Sequence, residues 1–199
     1  INTGSSSEYG KKEFIMKETD ICEPNTVYGI AKLSSTLYCN HISAKENKNI
    51  GTIRLFSVYG DYEEKGRLIP TLFINLLNGE NVKLGNPAAV RDFVYIDDVV
   101  DGLVSVLDYP PGVNEEKPYY RILNIGHADP VKLLDFIHAM EEVMGKKAKL
   151  DFQPMQAGDV TVTYADVRHL RELTGYQPRT SLTCGLSKFI SWYETYYDL

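Results

Sequence analysis

Cysteine is scarce. Cys22, Cys39 and Cys184 are the only three in 199 residues, and they form no Cys-x-x-Cys pair. An odd count at irregular spacing fits free thiols in a reducing compartment, so a cytoplasmic protein is expected. The four histidines, His41, His127, His138 and His169, lack the spacing of metal ligands; they are read as surface or core residues, and no metal is expected. No apolar run reaches the roughly 18 residues of a spanning helix, and no signal-peptide pattern is present, so no membrane partner is expected. Positive charge is short as well: 21 Lys and Arg against 27 Asp and Glu leave a formal net charge of -6. That balance argues against a general nucleic-acid binder, although a few local arginines could hold a small anion. Finally, there is no Gly-x-Gly-x-x-Gly or Gly-x-x-Gly-x-x-Gly run, and the first residue is Ile1 rather than methionine.

What remains is an ordinary globular composition, 43% hydrophobic and 24% charged, in a chain long enough to bury a core. Ile1 to Thr3 reads as the tail of a strand. Asn25 or Thr26 can cap a helix reaching about Lys45, with Ile30, Leu33, Leu37 and Ile42 at helical spacing. Ile50 to Tyr59 reads as one buried strand ending at Gly60. A charged loop from Asp61 to Gly66 leads to a helix over about Pro70 to Asn78, stopped by Asn78-Gly79. Strands are expected at Val82–Leu84, Phe93–Tyr95, Arg121–Ile125 and Lys149–Phe152. Helices are expected from Asp97 to about Leu107, Val131 to Met144, Asp166 to Thr174 and Leu182 to about Tyr197, with a loop over Pro110 to Pro118. Strands alternating with helices indicate an α/β protein.

Two groups of residues carry chemistry. Tyr28 and Lys32 are four apart on one helix face, where an ammonium can help a phenol act as a base. On its own the pair also reads as a solvated helix face. Ser5, Ser6 and Ser7 follow a strand, and their hydroxyls could bond a substrate hydroxyl and share its proton with Tyr28. The order strand, serine triplet, capped helix, Tyr-x-x-x-Lys is far more specific than either group alone.

These segments resemble the extended short-chain dehydrogenase/reductases of the nucleotide-sugar epimerase/dehydratase family. The likeness runs through Ser5-Ser6-Ser7-Glu8-Tyr9-Gly10, Tyr28-x-x-x-Lys32, Arg54 to Gly60, Val90 to Val99, Asn124-Ile-Gly126, and Gly158-Asp159 with Ala165-Asp166. Gln153 to Val160 is most similar to UDP-glucuronate 4-epimerases. The resemblance implies NAD as cofactor and a UDP-sugar as substrate. It implies Ser5, Tyr28 and Lys32 as catalytic residues, with Tyr28, Lys32 and Phe56 against the cofactor. It also implies Ser6, Ser7, Ser57, Arg67, Arg91 and Asp159 as substrate-binding residues. Ser57 and Arg67 are the candidates for a sugar carboxylate, although the usual Arg-Pro-Asp-Met is absent near Arg67. Arg91 falls at a diphosphate-binding arginine; its alternative reading is a surface ion pair with Asp97 or Asp98.

The same comparison separates reactions. Family 4,6-dehydratases carry Asp-Glu where this chain has Ser6-Ser7, which disfavours elimination. Family oxidative decarboxylases carry a Glu where this chain has Ser7; a local gap could realign Glu8, so decarboxylation is the alternative chemistry. The implied fold is the C-terminal part of a Rossmann-type doubly wound parallel sheet with a smaller α/β substrate-binding domain. Residues 1–60 are assigned to the first and 61–199 to the second, with 90–126 partly returning to the first. The glycine turn that holds a pyrophosphate is expected upstream of Ile1. The expected activity is therefore C4 epimerisation by a larger, homodimeric parent enzyme, UDP-glucuronate being the favoured substrate. A truncated, non-catalytic chain that keeps only nucleotide-sugar contacts is the alternative from a different class.

Overall fold

The computed structural model describes residues 1–109, 120–155 and 158–199. The loop expected over Pro110 to Pro118 lies outside them, as do positions 156 and 157 of the Gln153 to Val160 segment.

Strands and helices alternate along the chain. Strand β1 (Asn2–Ser5) runs into a 3-10 turn (Ser6–Glu8), followed by α1 (Val27–Glu46), β2 (Ile50–Leu55), β3 (Ser57–Tyr59) and α2 (Leu68–Asn78). Then come β4 (Asn81–Leu84), β5 (Val90–Arg91), β6 (Phe93–Tyr95), α3 (Ile96–Asp108) and β7 (Tyr120–Ile125). The chain closes with β8 (Val131–Lys132), α4 (Leu133–Met144), β9 (Lys149–Phe152), α5 (Arg168–Thr174) and α6 (Leu182–Tyr197).

The central sheet has the order β1-β2-β7, and both pairings are parallel. Strand residues alternate between its faces. Ile53, Leu123 and Ile125 pack with Val99 of α3, Leu170 of α5 and Tyr176. On the opposite face, Thr52 bonds the Tyr120 hydroxyl, which donates to the Thr36 carbonyl of α1. Helices thus cover both faces, as a parallel sheet requires. A second apolar cluster gathers α2, α4 and α6 around Phe73, Phe136, Phe189 and Tyr193, together with Tyr59, Phe93 and Tyr95 of β3 and β6.

Three sequence expectations are corrected. The run Ile50 to Tyr59 is two strands. The Phe56 N–H bonds Ile125 O at 3.0 Å, continuing the β7 side, whereas the Ser57 N–H bonds Asp92 O at 3.0 Å. The chain changes partner between those residues, and β3 pairs with β6. The second correction concerns α1, whose fully buried positions are Gly29, Thr36 and Ser43, while Ile30 and Leu37 are exposed. Small residues let this helix lie close against the sheet, so its large apolar side chains point elsewhere. Third, two helices begin later than expected: the segment from Val131 opens with β8 before α4 begins, and α5 begins at Arg168 behind its N-cap Val167, with Asp166 before it accepting the Arg168 N–H at 3.1 Å.

Candidate active site

The carboxyl ends of β1 and β2 open onto a cavity of about 590 Å³. Open parallel sheets bind ligands at that edge. Ser5, Ser6, Ser7, Tyr28, Phe56, Ser57, Arg67 and Arg91 all line it, as does Glu63.

The serine turn is locally determined. Ser5 Oγ accepts the Ser7 N–H at 3.2 Å, and Glu8 Oε1 accepts the Ser5 N–H at 3.0 Å, a complete capping box. A hydroxyl that accepts through one lone pair keeps its own proton to donate. The Ser5 O–H is therefore available to the cavity.

Helix α1 is capped by Thr26, whose side chain accepts the Gly29 N–H at 3.0 Å. Gly29 touches the serine turn so closely that a Cβ there would stand 2.5 Å from the Ser7 carbonyl oxygen. This contact sets Tyr28, the preceding residue, beside the serines. Lys32 lies one turn further on. Its Nζ donates to Thr3 O of β1 at 2.9 Å and stands 5.7 Å from the Tyr28 ring centroid. Phe56 is buried at the point where β2 ends, its ring 6.4 Å from that of Tyr9.

Arg91 enters from β5. It does not pair with Asp97 or Asp98. Its Nη2 lies 2.7 Å from Asp159 Oδ1, and Nη1 donates to the carbonyls of Val90 and Thr161. Burial pulls the Arg91 guanidinium below its ordinary range, and Asp159 opposes that shift. Asp159 also accepts the Val160 N–H, and it lines a smaller neighbouring cavity of about 240 Å³ together with Arg91, Ser6, Ser7 and Ser57. Asp97 pairs with Lys188 at 3.2 Å, and the Asp98 carboxylate accepts the backbone N–H groups of Arg179 and Thr180.

Glu8 does not reach the cavity wall. It is fully buried in an ion pair with Arg54, Oε2 to Nε 2.9 Å, and the Arg54 guanidinium stands over the Tyr9 ring at 4.5 Å. Tyr9 in turn donates to Asn124 Oδ1 at 2.7 Å; burial pushes its phenol up to about 12, so it stays a neutral donor. Asn124 Nδ2 donates to the carbonyls of Met16 and Asp166.

The sequence reading missed two residues. Asp92 is fully buried, and its carboxylate accepts the backbone N–H groups of His127, Ala128 and Ala165, at 2.6 Å for His127. It fastens β5 and β6 to the turn after β7 and to the segment before α5. It lies inside the Val90 to Val99 segment that carries the family resemblance, but the resemblance assigns no role to it. Glu63 sits on the loop between β3 and α2, with Oε2 closed off and without a hydrogen-bond partner. Burial raises its carboxyl to about 7, against the opposing charge of Arg67 and a hydrogen bond with the Gly60 backbone. Inside a run of charged residues, nothing in the sequence distinguishes it.

The donor set suits a nicotinamide cofactor. Tyr28 and Lys32 stand at the carboxyl end of parallel strands, next to an apolar wall formed by Leu55, Phe56 and Val58. Among the described residues, no group of three or more His, Cys, Asp or Glu side chains could hold a metal ion, and no helix is long and apolar enough to cross a membrane.

The family model described as "NAD dependent epimerase/dehydratase family" matches residues 1–126. A probable UDP-glucuronate 4-epimerase of Rhizobium meliloti is 32% identical over 97% of this chain and 61% of its own length. Among solved structures, MoeE5 in complex with UDP-glucuronic acid and NAD is 30% identical with a TM-score of 0.87, covering 99% of this chain and 64% of that one. The UDP-glucuronic acid 4-epimerase of Bacillus cereus, in complex with UDP-glucuronic acid and NAD, is 28% identical with a TM-score of 0.90, covering 98% and 61%. The chain spans between about half and two thirds of the length of the curated relatives it matches.

Proposed function

The chain belongs to the NAD dependent epimerase/dehydratase family, with its α/β Rossmann-type fold, and from that premise we propose that the protein inverts C4 of a UDP-sugar through a 4-keto intermediate. UDP-glucuronate is the favoured substrate. The observation that carries this reading is the convergence of Tyr28, the Ser5–Ser7 turn and two arginines on one cavity. Oxidation and re-reduction of C4 is the chemistry that NAD supplies when bound.

The chain's own residues do the rest. Tyr28 takes the C4 hydroxyl proton and later returns it. Ser5, with its hydroxyl proton free, bonds the same oxygen. Lys32 would hold the cofactor ribose and support Tyr28. Phe56 would pack beside the nicotinamide, while Ser6, Ser7 and Ser57 bond sugar hydroxyls. Arg67 faces the sugar carboxylate. Arg91, set by Asp159, anchors the diphosphate while the sugar turns to present its other face. Residues 1–60 would contribute to the cofactor domain and 61–199 to the substrate domain, with 90–126 partly returning to the first, in a cytoplasmic homodimer contacting through α1.

Decarboxylation and dehydration are less well supported. Glu8, the acid that a local gap would bring to the decarboxylase position, is committed to Arg54 and shut away from the cavity, and Ser6 and Ser7 are weak acids and bases at neutral pH. The alternative of a non-catalytic nucleotide-sugar-binding chain is separated by retained NAD.

The test is a panel of UDP-sugars incubated with the full-length protein, products being resolved as epimers. Tyr28→Phe should lower kcat by about 10²- to 10⁴-fold while UDP-sugar affinity changes less than threefold. A protein that holds NAD yet converts none of the panel would exclude the epimerase reading.

A further inference from the structure

One wall of the cavity is held in place from outside the site. The loop between β3 and α2 carries Glu63 and Arg67, and both line the cavity. From Glu64 to Arg67 the loop is exposed, so it has little burial of its own to fix it. Three side chains fasten it instead. Asp61 Oδ1 accepts the Tyr95 hydroxyl at 3.2 Å. Tyr62 lays its ring against α6, 5.1 Å from Trp192 and 5.6 Å from Tyr196. Lys65 Nζ stands 3.8 Å from the Tyr197 ring centroid. Two of these fastenings therefore end on the last turns of α6.

Tyr62 also has a left-handed backbone, with φ 63°. A bulky residue adopts that conformation at a cost, so its surroundings must hold it there. The aromatic contacts do so. Tilted and edge-on rings attract each other beyond the area they bury, and Trp192 stacks on Tyr196 at 4.9 Å to form the platform that Tyr62 meets.

The arrangement matters for Arg67. Among the described residues, no hydrogen bond or ion pair to another residue holds the Arg67 side chain. Its place follows from its backbone, which is set from two sides. On one side α2 is anchored by the buried Ile69, Pro70 and Leu72. On the other, the Arg67 N–H donates to Glu64 O at 3.2 Å, closing a turn across Gly66. The fastened loop and the start of α2 thus move together.

We infer that Tyr62 is a positioning residue: its clasp on α6 holds Arg67 in the cavity wall and so raises affinity for a carboxylated sugar over an uncharged one. The inference rests on reading the cavity as a nucleotide-sugar site with Arg67 as the carboxylate partner. A guanidinium placed in advance makes its charge-assisted bonds in full, whereas one on a loose loop loses part of that gain to ordering the loop. UDP has no sugar and UDP-glucose no carboxylate, so neither draws on this arrangement.

The experiment measures Kd for UDP, UDP-glucose and UDP-glucuronate with the full-length, NAD-loaded protein. It compares wild type, Tyr62→Phe, Tyr62→Gly, Arg67→Ala and the double variant Tyr62→Gly with Arg67→Ala. Glycine accepts φ 63° without strain, and Tyr62 is largely exposed, so its truncation leaves no buried cavity. Tyr62→Gly should weaken UDP-glucuronate binding about 5- to 10-fold, as for partial loss of a charge-assisted bond, with UDP and UDP-glucose changed less than twofold. Tyr62→Phe keeps the ring and should stay within twofold of wild type. In the Arg67→Ala background, Tyr62→Gly should add less than twofold, because a positioning residue acts through the residue it positions. No loss, an equal loss for all three ligands, or losses that multiply in the double variant would each overturn the inference. Tyr196→Ala cuts the clasp from the α6 side and should give the same ligand pattern at smaller size; it decides the matter if Tyr62→Gly does not fold, and a flat result counts against the clasp. If wild type binds the UDP-sugars and the variants show no selective loss, only the role of Tyr62 fails. If Arg67→Ala leaves UDP-glucuronate binding unchanged, the carboxylate role of Arg67 fails and takes the inference with it. If wild type binds none of the three ligands, the nucleotide-sugar reading itself fails.

Discussion

Glu8 Oε2 and Arg54 Nε lie 2.9 Å apart with both side chains closed to solvent, joining the turn after β1 to the neighbouring strand β2. Each charge depends on the other, since a buried ion is costly unless paired. Arg54 Nη1 has no hydrogen-bond partner, so the pair is not fully compensated even when intact. Glu8→Ala should therefore destabilise the protein by about 3–5 kcal/mol, and the double variant Glu8→Met with Arg54→Met by clearly less. Urea unfolding of the three proteins checks this. A Glu8→Ala variant as stable as wild type would contradict it.

Gly29→Ala tests the contact that seats Tyr28. Alanine normally favours a helix interior by about 1 kcal/mol over glycine, but here its Cβ meets the Ser7 carbonyl at 2.5 Å. Backbone must move, so the expected net effect is a loss of about 1–3 kcal/mol, with a larger fall in kcat than in UDP affinity. Gly51→Ala, where an added Cβ meets nothing within 4 Å, is the matched control and should leave turnover unchanged. Thermal melts and steady-state kinetics on the two variants suffice.

Glu63 also makes stability depend on pH. Its folded-state pKa of about 7 lies above the ordinary 4.5, so between those values the folded protein keeps a proton that the unfolded chain has released. Stability from this group is present below about pH 4.5 and is lost as pH rises to about 7. The loss is at most about 3 kcal/mol, and less after allowance for partial solvent screening. Glu63→Gln should therefore gain about 1–2 kcal/mol over wild type at pH 8 relative to pH 5. Denaturant midpoints at the two pH values provide the measurement; an unchanged difference would mean that the carboxyl is solvated.

Asp159→Asn removes the charge that orders Arg91. Because Asp159 takes Arg91 Nη2 at 2.7 Å, the guanidinium should become less ordered. KM for UDP-sugars should rise about 5- to 10-fold, as for loss of one charge-assisted bond, with kcat changed less than threefold. A kcat loss at constant KM would place Asp159 in the chemistry instead.

Local signals were legible in the sequence, and long-range ones were not. Helix α6 begins and ends where its pattern indicates, with Ser181 accepting the Cys184 N–H as cap. Thr26 caps α1, and Gly79 and Gly145 end α2 and α4 in left-handed conformation. The interruption at Phe56 depends on which strand lies alongside, β7 before it and β6 after it, and no window of neighbouring residues contains that information. The burial of Gly29, Thr36 and Ser43 beneath α1 was hidden for a related reason. Hydropathy points to the exposed Ile30 and Leu37, whereas close approach to the sheet selects small side chains. At the site, the motif positions pointed to one wall, and eight of the ten residues they marked line the larger cavity, Lys32 and Asp159 lying beside it. Glu63 was invisible because an acidic residue reads as solvated until its neighbours are known, and Asp92, although inside the Val90 to Val99 segment, drew no role for the same reason.

The fastening by Asp92 has a consequence for how the molecule is made. Every residue lining the larger cavity lies before residue 94, yet Asp92 binds the backbone of Ala165, and Arg91 is braced by Asp159. A chain emerging from the ribosome thus exposes these pocket side chains well before the segment that locks them in place. Until that segment arrives, a carboxylate and a guanidinium destined for burial remain in water, and the sheet edge beside them stays loose. Shape at the site therefore comes only after the pocket side chains themselves, and damage far downstream of the pocket can undo it.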